Sequence, residues 1–592
     1  MFIYQPLSHP SEIRIAELLP GQVHDPISCR LRHRLLDDSP SYDALSYAWG
    51  DPEDTETIRL DNIDHQATKN LCSALQHLRS TADSIYIWID ALCINQLDGN
   101  EKSRQIPRMI DIYRGANRVV AWIGDYEPNE ESSIQTIFEQ CNRAFEAFTQ
   151  HKTIEETARD LESSVPNNKV LHELFAGLLK RPWFSRKWVV QEVANSRSPE
   201  IVCGHQKTSF MAFTALWMVI KSKIDQQPWL RWHHNELDNM YALAVWVRDR
   251  EARDHDIAGL AKDLSFLLQE TGSFNCTLPH DRIYAILGLL GARELPPELV
   301  PDYGLPFHRV YHNYTRFILQ GTQSLDLLHS SNTGFLEEHL PSWIVDFANT
   351  SVSKSTHDEL NVSVGSNNGI TFSADGFSLN VSGLILGLIG EVSLPSNPGY
   401  AKITEELREM EKFDLAARAI QTFQEAIIQK SLIIRGIENP DSILPGLLLD
   451  ISTFTGYEID ACCAAFHALT SRWQQTRERL AQDVTLSPVE RQIWMLLYMF
   501  LTHRPYFLLQ NGTIGRTMLF EPRPIQVGDV TCSLRGANEV CILRRAPGTG
   551  LFNLVAFCVL LEDDPSDTDG YYFRKFGESY FRGRDLDHFV IV

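Results

Sequence analysis

Between residues 42 and 204 the chain alternates short apolar runs with stretches of helical periodicity. That alternation restricts this part of the chain to an α/β unit built on a largely parallel sheet. Residues 44–49, 85–93 and 118–123 are apolar and rich in aromatic side chains, which predicts buried strands. Between the first two, Leu71, Leu75 and Leu78 share one face of a helix expected over 69–79. Between the second and third, Ile106, Met109, Ile110 and Tyr113 repeat the spacing. Pro107 is accommodated if regular helix begins near Ile106, leaving 98–105 as a polar loop or capping turn. An acidic helical insertion is expected over about 130–161, then a polar linker around 163–169. In the segment Arg181-Pro-Trp-Phe-Ser-Arg-Lys-Trp-Val-Val-Gln-Glu-Val-Ala194, Pro182 suits an early helical turn and Ser185 an N-cap. Residues 201–203, closed by Gly204, fit one more short strand.

At 592 residues the chain exceeds a single hydrophobic core, so several domains are expected. We divide it into an N-terminal domain over 1–205 (core 42–204), a mostly helical middle over 206–370, and an α+β, β-rich region over 371–592. Strand signals at 370–393, helical patterns between 401 and 501 and a β-rich end over 506–592 underlie the last part. With 54 basic against 76 acidic side chains the net charge is −22. Such a surface repels phosphate backbones and anionic membranes, so neither nucleic acid nor a membrane is an expected partner. Arg30, Arg32, His33 and Arg34 cluster locally and read as a solvated strand edge. The eleven cysteines show no C-x-x-C spacing and Cys462-Cys463 is a poor metal clip, so no metal site is expected. Met1 to Pro10 lacks the features of a secretory signal, and no apolar run approaches the roughly 18 residues of a membrane span. A cytoplasmic protein with reduced thiols is the expectation.

Three blocks stand in order: Tyr42-Asp-Ala-Leu-Ser-Tyr-Ala-Trp-Gly-Asp51, Trp88-Ile-Asp-Ala-Leu-Cys-Ile-Asn-Gln-Leu-Asp98 continuing to Trp122-Ile-Gly124, and Arg181 to Ala194. Together they resemble the fungal heterokaryon-incompatibility (HET) domain. Later stretches are similar to the region that follows in long HET proteins. These are His280-Asp-Arg-Ile-Tyr284, Pro301-Asp-Tyr303, Leu340-Pro-Ser-Trp-Ile-Val-Asp346 and the surroundings of Gly515, Gly528 and Gly577. The tail departs from that pattern at Gly583-Arg-Asp-Leu-Asp-His588. The resemblance implies self/non-self recognition and regulated cell death, acting through protein partners or self-association.

HET domains in turn resemble TIR domains, which implies a TIR-like fold for the N-terminal domain. Tyr42-Asp-Ala-Leu-Ser-Tyr47 is similar to the first TIR strand, and Trp88-Ile-Asp90 to a strand that ends in Phe-x-Asp. Trp188-Val-Val-Gln-Glu192 resembles the helix that supplies the catalytic glutamate of TIR enzymes that cleave NAD. The resemblance therefore implies Glu192 as catalytic residue, NAD as substrate, and Ser46, Trp49, Asp90, Asn95 and Trp188 as substrate-binding residues. Trp188 and Glu192 would share a helix face. A carboxylate there can stabilise oxocarbenium character on a ribose, and an indole can stack on a flat heterocycle.

Each of these residues also has a structural reading. Glu192 can pair with Arg186 or Lys187, Asp90 can cap the loop after its strand, and Trp49 and Trp88 can be core aromatics. Asn95-Gln96 fits a side-chain-stabilised turn, and Glu101 and Gln105 fit a helix cap. Cys93 reads as an inert core thiol, and His280-Asp281 as a helix start. Phosphate-binding, dinucleotide, zinc-protease and nucleophile-elbow motifs are missing from the sequence. Three roles stay open: a signalling module, an NAD glycohydrolase whose activity is the death output, and an accessory protein to a biosynthetic pathway.

Overall fold

The computed structural model describes residues 3–22, 24–126, 130–164, 168–224, 240–241, 256–290, 295–329, 340–348, 369–392, 427–435, 460–468, 506–517, 524–561, 581 and 583–592. Two compact units emerge, one made of Met1–Asp256 with Asp263–Val310, the other of Ile257–Lys262 with Tyr311–Val592.

The first unit is organised by a nine-stranded sheet. Its strands are β1 (Glu12–Leu18), β2 (Ser28–Leu35), β3 (Asp43–Tyr47), β4 (Thr55–Leu60), β5 (Ile63–Thr68), β6 (Ile85–Trp88), β7 (Val119–Trp122), β8 (Pro199–Cys203) and β9 (Gln206–Ser209). They lie in the order β5-β4-β2-β1-β6-β3-β7-β8-β9. The centre, β6-β3-β7-β8, is parallel, while β1 with β2 and β6, β4 with β5, and β8 with β9 run antiparallel. The sheet is thus mixed: besides its centre only β2 with β4 is parallel, and the largely parallel expectation holds for half of the pairings. Among these four strands, numbered by appearance, the order is 2-1-3-4, a doubly wound order that places the carboxyl ends of β3 and β7 side by side at the point where the chain reverses direction.

The crossovers are helical. Helix α1 (Lys69–Leu78) buries Leu71 and Leu75 and links β5 to β6. The apolar run expected to be strand through 93 bends after Trp88 into a one-turn helix, α2 (Asp90–Cys93). Residues 98–105 are helical rather than a loop: α3 (Gly99–Gln105) is capped by Asp98, whose carboxylate accepts from the Asn100 and Glu101 amides. Pro107 sits in the 3-10 turn Ile106–Arg108, where its missing N–H costs nothing, before α4 (Met109–Gly115). The acidic insertion is α5 (Glu131–Thr149) and α6 (Ile154–Ser164), followed by α7 (Asn168–Leu179). The segment after Arg181 forms α8 (Pro182–Ser185) and α9 (Trp188–Ala194). Ser185 ends α8 instead of capping α9, and its hydroxyl donates to the Pro182 carbonyl. The core between sheet and helices is built from Leu45, Tyr47, Ile87, Trp88, Ile112, Tyr113, Val120 and Trp122, each 2% exposed or less.

The middle of the chain is mostly helical where described, with α10 (Phe210–Ile224), α11 (Ile257–Glu270), α12 (Asp281–Leu287) and α13 (Phe307–Thr322). The second unit is dominated by eight further strands: β10 (Thr371–Phe372), β11 (Leu379–Val392), β12 (Tyr506–Leu509), β13 (Ile514–Thr517), β14 (Val530–Leu534), β15 (Val540–Arg545), β16 (Phe552–Leu561) and β17 (Asp587–Ile591). Pairings run β11-β12-β13-β16-β15-β14 and return from β14 to β11, closing a ring of six antiparallel strands. Irregularities in β11 at 385/387 and 389/391 let one long strand serve both neighbours. At Gly515 any Cβ would lie 2.2 Å from the Phe507 ring, so only glycine allows that approach. Most helical patterns expected between 401 and 501, the linker at 165–167 and Gly577 to Tyr580 lie outside the described residues. No helix among the described residues is long and apolar enough to cross a membrane.

Candidate functional site

Helix α9 is short and carries three valines, a composition that would not hold a helix alone. Packing holds it, since every residue from Val189 to Ala194 is buried, against β3 and β7 among others. Its entry is fixed by a backbone ladder in which the Lys187 amide donates to Asn275 O (3.0 Å) and the Asn275 amide donates to Ser185 O (2.6 Å). The Trp188 indole N–H donates to Asp281 Oδ2 (3.1 Å), and Tyr303 OH donates to the other Asp281 oxygen (2.6 Å).

This placement turns Glu192 toward β3. Ser46 on that strand donates its hydroxyl to Glu192 Oε2 and accepts the Trp183 indole N–H at 2.8 Å. Glu192, Ser46 and Trp183 are each 1% exposed. Burial pushes the Glu192 carboxyl up to about 7, and the nearby Asp90 charge adds to that. Arg186 and the Ser46 hydroxyl pull the other way. The Arg186 guanidinium donates to the Tyr47 carbonyl and acts on Glu192 through space.

Asp90 begins α2 just after β6, where it is half-buried. It accepts from the Trp49 indole N–H (2.8 Å), its neighbour's Ala91 amide (2.7 Å) and the Tyr47 hydroxyl. Burial raises its carboxyl, and Arg186 offsets part of the rise. The guanidinium therefore serves two carboxyl groups, which places Ser46, Trp49, Asp90 and Glu192 in one electrostatic cluster at the strand ends. Trp49 is 41% exposed rather than a core aromatic, whereas Trp88 is fully buried.

The remaining site residues of the sequence reading lie elsewhere. Asn95 closes a turn by accepting the Leu97 amide (3.2 Å), and its own amide donates to Glu101 (2.7 Å). Trp188 turns its indole N–H to Asp281. Glu101 does not cap α3. Its carboxylate takes both terminal nitrogens of Arg14, at 2.6 and 3.0 Å, and Arg14 is 1% exposed. Gln105 donates to the Glu12 carbonyl (3.2 Å). Cys93 is buried and its thiol is pushed up to about 12 by burial. Among the described residues no group of three or more His, Cys, Asp or Glu is placed to hold a metal.

Sequence reasoning missed Trp183 and Tyr47 as partners of the cluster, and Asp281 with Tyr303 as anchors of Trp188. One signal was available for Trp183, because a buried indole needs an acceptor for its N–H. For Asp281, some ninety residues downstream of Trp188, none was. Chemically, a buried acid poised near neutrality beside a hydroxyl can hold or release a proton, or stabilise positive charge, once a substrate reaches it.

Residues 42–192 match the family described as "Heterokaryon incompatibility protein (HET)". The chain is also 30% identical over 244 residues to "Heterokaryon incompatibility protein 6, OR allele" of Neurospora crassa, a match covering 36% of each chain. The chain thus spans about a third of the length of the curated relative it matches. No solved structure matches.

Proposed function

From the HET domain that residues 42–192 constitute, we propose that this chain acts in fungal non-self recognition as a heterokaryon-incompatibility protein that signals regulated cell death. The observation that carries the reading is a coincidence of boundaries. The matched residues contain β3, β6 and β7 of the parallel centre, α2 and α9 as far as Glu192, the elements that hold Ser46, Asp90 and Glu192. Partner binding or self-association would be the trigger. The test uses paired fungal strains that differ only at this gene. Forced heterokaryons should grow slowly and take up a viability dye, and normal growth with both products present would refute the role.

A second reading, a TIR-like NAD glycohydrolase, is favoured by one specific observation. Glu192 is delivered by the last helix before the fourth strand of a 2-1-3-4 parallel centre, next to a hydroxyl near the end of the first strand. In this reading Glu192 stabilises the ribosyl cation as nicotinamide departs, and Ser46 orients the carboxyl. Trp49 and Asp90 would hold the substrate at the strand ends. Because Glu192 is 1% exposed, the loops after β3 and β6 must part before a substrate reaches it. Nicotinamide release by the full chain, lost in Glu192→Gln, is expected. Release that persists in folded Glu192→Gln would refute the assignment.

A further inference from the structure

The surface beside α3 holds a cavity of about 250 Å³ lined by Gly99, Lys102, Leu278, His280 and Tyr303. We propose that it is a binding site for a small, single-ring aromatic anion, separate from the Glu192 cluster. Three features specify that ligand.

The first is a cation that makes no ion pair among the described residues. The Lys102 ammonium lies 5.9 Å from the Tyr303 ring centroid, and among the described residues no carboxylate stands within ion-pair distance of it. The Asp281 carboxyl feels the Lys102 charge through space, but its two oxygens are hydrogen-bonded by Tyr303 OH and Trp188 Nε1. The N–H donors of Lys102 are therefore left to meet an anion by a charge-assisted hydrogen bond.

The second is a pair of flat rings on the lining, His280 and Tyr303, with Tyr284 and Phe307 packed against His280. His280 lies 5.4 Å from Tyr303, 5.9 Å from Tyr284 and 6.5 Å from Phe307, centroid to centroid. A ring nitrogen of His280 is held 2.7 Å from the Leu305 carbonyl, which fixes the imidazole plane. Leu278, 40% exposed, adds apolar surface at the mouth. A planar ligand gains stacking and apolar contact here in one step.

The third is size. About 250 Å³ is below the roughly 300–1,000 Å³ of sites for drug-sized ligands. One substituted ring with a carboxylate, sulfonate or phosphate fits that space, and a dinucleotide does not. Gly99 bounds it, and a Cβ placed there would meet nothing within 4 Å, so a larger side chain at 99 can fill the space without a clash at its first atom.

The test titrates the full chain calorimetrically with anthranilate, benzenesulfonate and phenyl phosphate, and with neutral 2-aminobenzamide as the uncharged counterpart of the first. At least one anion should bind one to one in the millimolar range or tighter. Lys102→Gln should weaken it by about tenfold, the loss of one charge-assisted contact, while leaving 2-aminobenzamide within about twofold. Gly99→Leu, with an unchanged melting curve, should block all binding. Either of two results overturns the proposal: no saturable heat for any of the three anions, or anion binding that both folded variants retain. None of these readouts depends on NAD cleavage or on growth, so this proposal and the functional reading fail independently.

Discussion

Replacing Glu192 with glutamine should make the protein more stable at alkaline pH and leave it unchanged in acid. The carboxyl, ordinarily near 4.5, is pushed up to about 7 in the folded chain, chiefly by burial. Below pH 4.5 it is protonated in folded and unfolded chains alike, so burying it carries no electrostatic cost. Between 4.5 and about 7 the unfolded chain gives up this proton while the folded chain keeps it, and stability falls as pH rises. Above 7 the loss levels off, at about 3 kcal/mol for a displacement of this size. Glutamine is neutral, nearly the same shape, and can still accept the Ser46 hydroxyl. Glu192→Gln should therefore match the native chain at pH 4.5 and exceed it by up to about 3 kcal/mol at pH 8, a rise of several degrees in melting temperature for a unit this large. Melting curves of both full-length proteins at half-unit intervals from pH 4.5 to 8.5 provide the difference directly. A difference that does not change with pH, or a glutamine variant less stable at pH 8, would show that this carboxyl does not titrate in its buried place. If the variant also loses nicotinamide release, the gain in stability at neutral pH measures what the native site gives up in order to act.

Lys187 should show the opposite pH trend, because burial pulls its ammonium down to about 7 from an ordinary 10.5. Stability then falls as pH drops from 10.5 to 7, so Lys187→Met should raise the urea midpoint at pH 7 and lose that advantage near pH 10.5. Equal midpoint gains at both pH values would contradict it. Arg14→Met alone leaves the Glu101 carboxylate largely buried without its partner and should cost about 3–5 kcal/mol; adding Glu101→Leu should recover much of that. A double variant no better than the single in equilibrium unfolding would count against the pair. Trp188→Phe removes one of two donors to Asp281 and should cost about 1–3 kcal/mol, with faster amide exchange through residues 188–194. Unchanged exchange there would mean the indole bond does not hold the helix.

What was legible in the sequence was the part governed by local pattern. The strands at 44–49 and 118–123 and the helix at 69–79 announce themselves through apolar periodicity, and β3, β7 and α1 lie there to within two residues. The error at 85–93 has a local cause, since four residues of apolar strand and one buried helical turn look alike in composition. The error at 98–105 came from reading Pro107 as a helix start, when it sits in a 3-10 turn joining two helices. Flanking strands β2, β4 and β5 carry mixed polar and charged residues, because each is covered on one face at most or lies near the edge, whereas β1 is buried along most of its length and its charged Arg14 and Glu17 are paired with Glu101 and Arg32. In the site, Glu192 and Ser46 could be named from motif alone, but their hydrogen bond joins positions 146 apart in the chain. The anchor of Trp188 was hidden for the same reason, as its partner Asp281 belongs to another segment.

The backbone ladder between Ser185, Lys187 and Asn275, with the indole bond to Asp281, also bears on how domains of this kind can be exchanged between relatives. A chimera joined just past residue 192 would import the helix carrying Glu192 and leave behind the segment that grips its entrance. Amides and carbonyls matched in one parent would meet strangers in the other. Junctions placed beyond Val310 keep helix and grip together, so the inheritable piece is longer than the stretch over which its sequence is conspicuous.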